Sequence, residues 1–123
     1  MKNTRRYRQL TTREMNLLKR LLHAGVLERE KFLYQARNGL VEEIDDDDSL
    51  FFKLPEFKKP EPHAIIAEAE STDTDGITIH FSVHVVRDRL CELEIYKDND
   101  SRVKCTIQPE NIHMIWPDEI PAT

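Results

Sequence analysis

The chain has 123 residues, of which 39% are apolar and 33% are charged, and its net charge at pH 7 is -5. This size and composition predict one domain over residues 1–123 and exclude a mainly disordered chain. No apolar run approaches the ~20 residues that a bilayer-spanning helix needs, and no signal-type stretch follows the basic N-terminus. We therefore expect a cytoplasmic protein with no membrane partner.

The charge is distributed unevenly along the chain. Residues 1–37 hold ten Lys or Arg against three Asp or Glu, whereas residues 38–123 hold eight against twenty. An excess of acidic side chains favours a basic protein partner and makes nucleic acid an improbable one, because carboxylates repel phosphates. We interpret residues 1–9 as a basic arm with the flexibility typical of a domain end.

Two helices are predicted within residues 10–38. Thr11 and Glu14 have the spacing of a capping box, which starts the first helix. Its apolar stripe at i, i+3, i+4 spacing consists of Met15, Leu18, Leu21 and Leu22. A second, shorter helix is predicted over residues 28–37.

The pattern changes to short β-type runs over residues 40–108. The predicted strands cover residues 40–44, 50–54, 64–72, 77–86, 90–97 and 102–108. The proline-rich residues 55–62 are predicted to be a loop. Residues 109–123 should form a helical turn and a tail, with Ile112, Ile115 and Trp116 packed on the core. These elements predict an α+β fold, with two N-terminal helices packed on one face of a five- or six-stranded antiparallel sheet.

The register of the central strands follows from the turns between them. Apolar residues alternate with polar ones over residues 77–85, so one face of the sheet is polar. A three-residue loop ending in a left-handed Gly76, and a three-residue turn over residues 87–89 that sets Val85 opposite Cys91, fix the pairing. The polar face then has three cross-strand rows: Glu70, His80 and Tyr96; Glu68, Ser82 and Glu94; Ile66, His84 and Glu92.

This polar face contains the parts of general acid-base chemistry without their usual arrangement. His80 and His84 lie near carboxylates, but Ser82 on an open strand has no oxyanion hole. The two histidines are about 13 Å apart along the strand and cannot share one ion. Cys91 and Cys105 have no metal-type spacing and are expected to be reduced. We predict no catalytic residue, no metal site and no cofactor.

The most acidic stretch is EEIDDDDSLFFK, residues 42–53. Its carboxylates lack the alternate spacing, the glycine and the distal glutamate of a calcium loop. A solvated hairpin turn and a binding patch both fit this run. The two interpretations differ in whether the turn faces the same side as the glutamates of the polar sheet face.

Three stretches carry a resemblance: RQLTTREMNLLKRLL, GLVEEIDDDDSLFF and LCELEIYKDND. They resemble a family of small uncharacterised bacterial proteins that share a capped first helix, an acidic turn before an apolar strand and a closing E-L-x-[IV]-[YW]-K motif. Proteins of this kind are similar to immunity proteins, which neutralise a toxin delivered by a neighbouring cell. The resemblance implies a basic toxin, such as a nuclease, as the protein partner, and carries no functional residues.

Two classes of function remain after sequence analysis. The first is a non-catalytic acidic binding protein of immunity type, whose predicted partner-binding residues are Asp45, Asp46, Asp47, Asp48, Glu68, Glu70, His80, His84, Glu92 and Glu94. The alternative is a small enzyme or ligand-binding domain that uses the face around His80 and His84. A subunit of a larger assembly, or a homodimer through an exposed sheet edge, is a third interpretation.

Overall fold

The computed structural model describes residues 6–55 and 63–119 of the chain. The predictions for residues 1–5 of the basic arm, 56–62 of the proline-rich loop and 120–123 of the tail lie outside the described residues. Among the described residues, none of the helices has the length and apolar character that crossing a membrane requires.

Two helices follow the N-terminal segment. Helix α1 spans Thr12–Leu21 and helix α2 spans Arg29–Asn38. The predicted capping box is confirmed: the Thr11 hydroxyl accepts the Glu14 backbone N–H at 3.1 Å, and the Glu14 carboxylate accepts the Thr11 N–H at 2.9 Å. Both amides lack a partner inside the helix, so this reciprocal pair fixes the start of α1.

The strands of the described residues join one antiparallel sheet. In chain order they are β1 Val41–Glu43, β2 Leu50–Phe52, β3 His63–Thr72, β4 Thr78–Val86, β5 Arg89–Lys97 and β6 His113–Trp116. Their order across the sheet is β1-β2-β5-β4-β3-β6, and each neighbouring pair is antiparallel. The predicted α+β fold is confirmed.

The helices cover one face of the sheet and enclose the core there. Leu18 and Leu21 of α1 and Phe32 of α2 share one buried cluster with Phe81 of β4 and Leu93 of β5. Successive side chains of a strand point to opposite faces. The residues that alternate with this core therefore point to the face that the two helices leave uncovered.

The central pairings follow the predicted register with one exception. The first two predicted rows are confirmed, with Glu70 opposite His80 as the first pair. In the third row Ile65, and not Ile66, lies opposite His84. The prediction was wrong because β3 contains a bulge at this point, which shifts the pairing by one residue.

The turn between β4 and β5 is one residue shorter than predicted. The chain turns over residues 87–88, both at positive φ, and Val85 pairs with Leu90 instead of Cys91. A bulge after His84 restores the predicted register for the rest of the two strands. The shorter turn and the bulge therefore compensate each other.

The predicted strand over residues 102–108 was wrong. These residues lie in an irregular segment, residues 101–108, which we call the anchored segment. Val103, Cys105 and Ile107 face the core at every second position. The amides of the segment bond to carboxylates instead of a neighbouring strand, as described below.

The last strand is β6, which was predicted as part of a tail. A 3-10 turn over Pro109–Asn111 precedes it, as expected, and Ile112 is buried. Strand β6 pairs with β3 at the sheet edge, so Ile115 and Trp116 are about half exposed, at 47% and 53%. The prediction that these two side chains pack on the core was wrong. Trp116 lies opposite Glu68 on the uncovered face of the sheet, and Ile115 falls at a register shift between β3 and β6.

Candidate functional site

The face of the sheet opposite the helices is the candidate site, and we call it the open face. The register gives its three rows: Glu42, Phe51, Glu92, His84 and Ile65; Glu94, Ser82, Glu68 and Trp116; Tyr96, His80, Glu70 and His113. None of these residues is Lys or Arg, although lysine and arginine make up 18 residues of the chain. The rows thus combine carboxylates, imidazoles and exposed aromatic rings.

In the β4–β5 half of the open face, the carboxylates pair with histidines. His84 Nε2 lies 3.1 Å from Glu94 Oε1, and His80 Nε2 forms a short hydrogen bond with Asp98. The His80 ring also stacks on Tyr96, with 4.9 Å between the ring centroids. These carboxylates are already partly satisfied within the fold.

Glu92 occupies the most enclosed carboxylate position of this half. Burial raises its pKa, and the nearby charges of Glu94 and Asp45 raise it further, whereas His84 and His63 act in the opposite direction. Proton uptake at Glu92 therefore begins at a higher pH than at an exposed glutamate.

In the β3–β6 half, the carboxylates have no such partners. Glu68 lies opposite Trp116, and Glu70 lies opposite His113. Within residues 6–55 and 63–119, Glu68 and Glu70 form no ion pair or side-chain hydrogen bond with another residue. Two unpaired carboxylates thus adjoin an exposed indole.

The arrangement gives little support to catalysis on this face. Ser82 is buried between its neighbours, and the imidazoles of His80 and His84 bond to carboxylates of the β5 side instead of to its hydroxyl. Burial, with a contribution from Glu92, raises the pKa of Cys91 to about 11, so its thiol is protonated at neutral pH. Among the described residues, no three or more His, Cys, Asp or Glu side chains are grouped to hold a metal ion.

The acidic turn, residues 45–48 between β1 and β2, bonds mainly to its own fold. Asp45 Oδ1 accepts the N–H groups of Asp47 and Ser49 at 2.8 and 3.2 Å. Asp47 Oδ1 accepts the Val103 N–H at 2.9 Å, which ties the turn to the anchored segment. Half of the predicted aspartates therefore satisfy backbone amides.

The other two aspartates of the acidic turn pair with arginines. Asp48 lies 3.2 Å from Arg13 on α1, and Asp46 lies 3.8 Å from Arg102 in the anchored segment. These contacts are with the helix-covered side of the molecule. The structure thus brings Glu68, Glu70, Glu92, Glu94, His80 and His84 together on the open face, and directs Asp46, Asp47 and Asp48 toward other elements.

A buried ion cluster at the end of the sheet was missed by the sequence analysis. Lys97, with only 1% of its surface exposed, places its Nζ atom 3.0 Å from Asp73 Oδ2 and 2.5 Å from Asp75 Oδ2. Asp73 also accepts the backbone N–H groups of Lys104 and Cys105 at 2.7 and 2.9 Å. This cluster explains why the anchored segment is not a strand: carboxylates bind its amides.

The sequence held one signal for this cluster. The predicted register already placed Lys97 on the same face as Leu93 and Ile95, and a lysine on a core face requires a buried carboxylate. Burial disfavours ionisation of Asp73, but the amides and the Lys97 ammonium outweigh it and hold the pKa of this carboxyl well below its usual range. The cluster is therefore a structural element that holds the anchored segment in place.

Comparison with known proteins identifies the family. A family model described as "Domain of unknown function (DUF6984)" matches residues 7–107. The chain belongs to the DUF6984 family. No curated protein and no solved structure matches it. The resemblance to an uncharacterised family is thus confirmed, and the description of DUF6984 assigns no activity.

The DUF6984 match covers only part of the open face. It includes both helices, strands β1 to β5 and the glutamates Glu68, Glu70, Glu92 and Glu94. It ends before β6, which carries His113 and Trp116. The carboxylates of the open face thus lie inside the DUF6984 region, and its exposed indole lies outside.

Proposed function

We propose that this DUF6984 protein is a non-catalytic binding protein that docks its open face on a basic protein. One observation carries the proposal: the three rows of this face hold five glutamates and several exposed aromatic rings, and no Lys or Arg. A surface of one charge sign steers an oppositely charged protein into contact. Exposed Trp and Tyr side chains supply the apolar anchors that such contacts use.

The open face also has a shape suited to docking. Its glutamates come from β3 and β5, which are fixed by a six-stranded sheet, so a partner meets positions that need little ordering. Tyr96 and Phe51, on β5 and β2, are each 40% exposed, and Trp116 on β6 is 53% exposed. Aromatic side chains bury large areas at small entropic cost when a partner covers them.

The form of binding that we propose is inhibition of immunity type. A non-catalytic protein of this type would neutralise a toxin by covering the surface that the toxin needs. Nucleases bind phosphate backbones through basic surfaces, which an acidic face can mimic. The resemblance of the three sequence motifs to small immunity-type proteins supports this form of the proposal.

Capture from a lysate of the source cells tests the docking proposal. The immobilised chain should retain a basic protein that is released by raised salt, because exposed charges are screened. A variant with Glu68, Glu70, Glu92 and Glu94 all changed to Gln should fail to retain it. The matched control neutralises four acidic residues outside the open face: Glu28→Gln, Glu30→Gln, Asp88→Asn and Glu110→Gln.

Retention of the same protein by both variants would show that the open face is not the docking surface. The immunity form is tested separately, by expressing the captured protein alone and together with the chain. We expect growth arrest that co-expression relieves. A captured protein that is harmless when expressed alone would contradict the immunity form and leave the docking proposal intact.

A further inference from the structure

We propose that the β3–β6 half of the open face is an arginine-binding site, in which a guanidinium of the basic partner lies on the Trp116 ring and bonds to Glu68 and Glu70. The inference rests on the proposed docking function and names its recognition chemistry. It is carried by the difference between the two halves of the open face. One half has carboxylates paired with histidines, and the other has, beside an exposed indole, carboxylates that pair with no other described residue.

The carboxylates of the open face differ in how many internal partners they have. Glu94 is held by His84, and Glu92 is partly buried with a raised pKa. Glu68 and Glu70 form no ion pair with any other described residue, so a partner cation meets no internal competitor there. The strongest free charge of the open face is therefore on β3.

Glu68, Glu70 and Trp116 are close enough to contact one small group. Glu68 and Glu70 point to the same face of β3 and are about 7 Å apart, because one residue lies between them. Trp116 is the direct cross-strand neighbour of Glu68, so their side chains start about 5 Å apart. A flat group that enters beside Trp116 can thus reach both carboxylates.

A guanidinium matches these side chains better than an ammonium does. A guanidinium is planar, weakly hydrated and carries five N–H donors, so it can stack on an indole while it donates to a carboxylate. An ammonium is compact and strongly hydrated and satisfies only the second requirement. The site should therefore prefer arginine to lysine.

Among the described residues, no arginine of the chain itself fills this site. Arg20 lies behind β6, but its guanidinium donates to the Ile112 carbonyl at 2.5 Å and to Glu119 at 2.6 Å. The rows of the open face themselves contain no Lys or Arg. Trp116, at 53% exposure, keeps a ring face accessible to a ligand.

The test uses the fact that Trp116 is the single tryptophan of the chain, so that its fluorescence reports on this site alone. The probes are the blocked peptide Gly-Arg-Gly-Arg-Gly and its lysine counterpart. We expect a saturable change in emission with the arginine peptide and about fivefold weaker binding of the lysine peptide. Glu68→Gln with Glu70→Gln should abolish the change, and Glu92→Gln with Glu94→Gln should preserve it.

Calorimetry with Trp116→Leu checks the ring contribution without the fluorophore, and weaker binding of the arginine peptide is expected. Equal binding of the two peptides, an unchanged affinity in the Glu68/Glu70 variant, or no change in emission would each overturn the arginine site. If the peptides bind through Glu92 and Glu94 instead, the arginine site fails while the docking proposal stands. The docking proposal fails only when partner capture is insensitive to all four glutamates.

Discussion

The acidic turn and the β3–β6 half of the open face both display carboxylates, yet they differ in what those carboxylates do. In the turn, Asp45 and Asp47 bind backbone amides and Asp48 pairs with Arg13. On β3, Glu68 and Glu70 have no partner among the described residues. The denser run of charge bonds within the fold, and the sparser pair forms no such contact among the described residues.

The difference follows from what each region faces. A tight hairpin turn leaves amides unpaired, and short aspartate side chains can reach them. A strand interior has its amides bonded to neighbouring strands, so its glutamates can point only to solvent or to cross-strand side chains. Carboxylate density in a sequence therefore does not measure how much charge a surface offers to a partner.

The largest effect is expected for Asp73→Asn, which removes a fold-stabilising carboxylate. The change leaves Lys97 buried with one fewer anion and weakens two bonds to the anchored segment. Breaking a buried ion pair costs about 3 kcal/mol or more. Urea denaturation at pH 7 should show this loss, and a loss below about 1 kcal/mol would contradict the structural role of the cluster.

The difference in stability between wild type and Asp73→Asn should also depend on pH. The pKa of Asp73 is lowered in the folded state, so its ionised form stabilises the fold above the unfolded-state pKa of about 3.9. That stabilisation is lost as the pH falls from about 4 toward the folded-state pKa. The stability difference between wild type and Asp73→Asn should therefore shrink between pH 7 and pH 3. An unchanged difference would contradict the assignment.

A smaller loss of stability is expected for Asp47→Ala in the acidic turn. The substitution removes the acceptor of the Val103 N–H and should cost about 1–2 kcal/mol. The matched control is Asp46→Ala, whose pair with Arg102 is exposed and should contribute less than about 0.5 kcal/mol. Equal effects of the two changes would remove the distinction between bonded and solvated aspartates within the turn.

Gly76→Ala tests the loop that carries the buried carboxylates. As predicted, Gly76 is left-handed, with a φ of 81°, and a Cβ atom there would have open space around it. The cost is therefore conformational only, about 1 kcal/mol, measured by thermal unfolding. Gly76→Asn, which tolerates this backbone conformation, should recover part of the loss, and no difference between the two variants would speak against a conformational origin.

The smallest effect on stability is expected on the open face. Glu68→Gln with Glu70→Gln should change the free energy of unfolding by less than about 0.5 kcal/mol, because neither carboxylate bonds to another described residue. Chemical denaturation of this double variant and of Asp47→Ala under the same conditions compares the two losses of stability directly. A loss as large as that of Asp47→Ala would mean that these glutamates also serve the fold.

The sequence predicted those features that depend on local spacing. The capping box of Thr11 and Glu14, the alternation of β4 and the left-handed Gly76 each follow from two or three residues. The predicted rows placed Glu68, Glu70, Glu92 and Glu94 together on one face of the sheet, as the structure does. Local propensity and side-chain periodicity are sufficient for these predictions.

Other features depend on contacts between distant segments and were beyond these rules. Alternation in residues 102–108 reports which side chains face the core, and it does not report that Asp47 and Asp73 bind the amides. The bulges in β3 and after His84 leave no mark in the pattern of apolar residues. The partners of the acidic turn likewise lie far along the chain, at Arg13 and Arg102.

The central claim, that the open face and not the acidic turn meets the partner, is tested most directly by association rates with the captured protein. Two variants lose the same charge: Glu68→Gln with Glu70→Gln, and Asp46→Asn with Asp48→Asn. At low salt we predict an association rate about tenfold lower for the first variant and within about twofold of wild type for the second. An equal or larger decrease for the turn variant would contradict the claim.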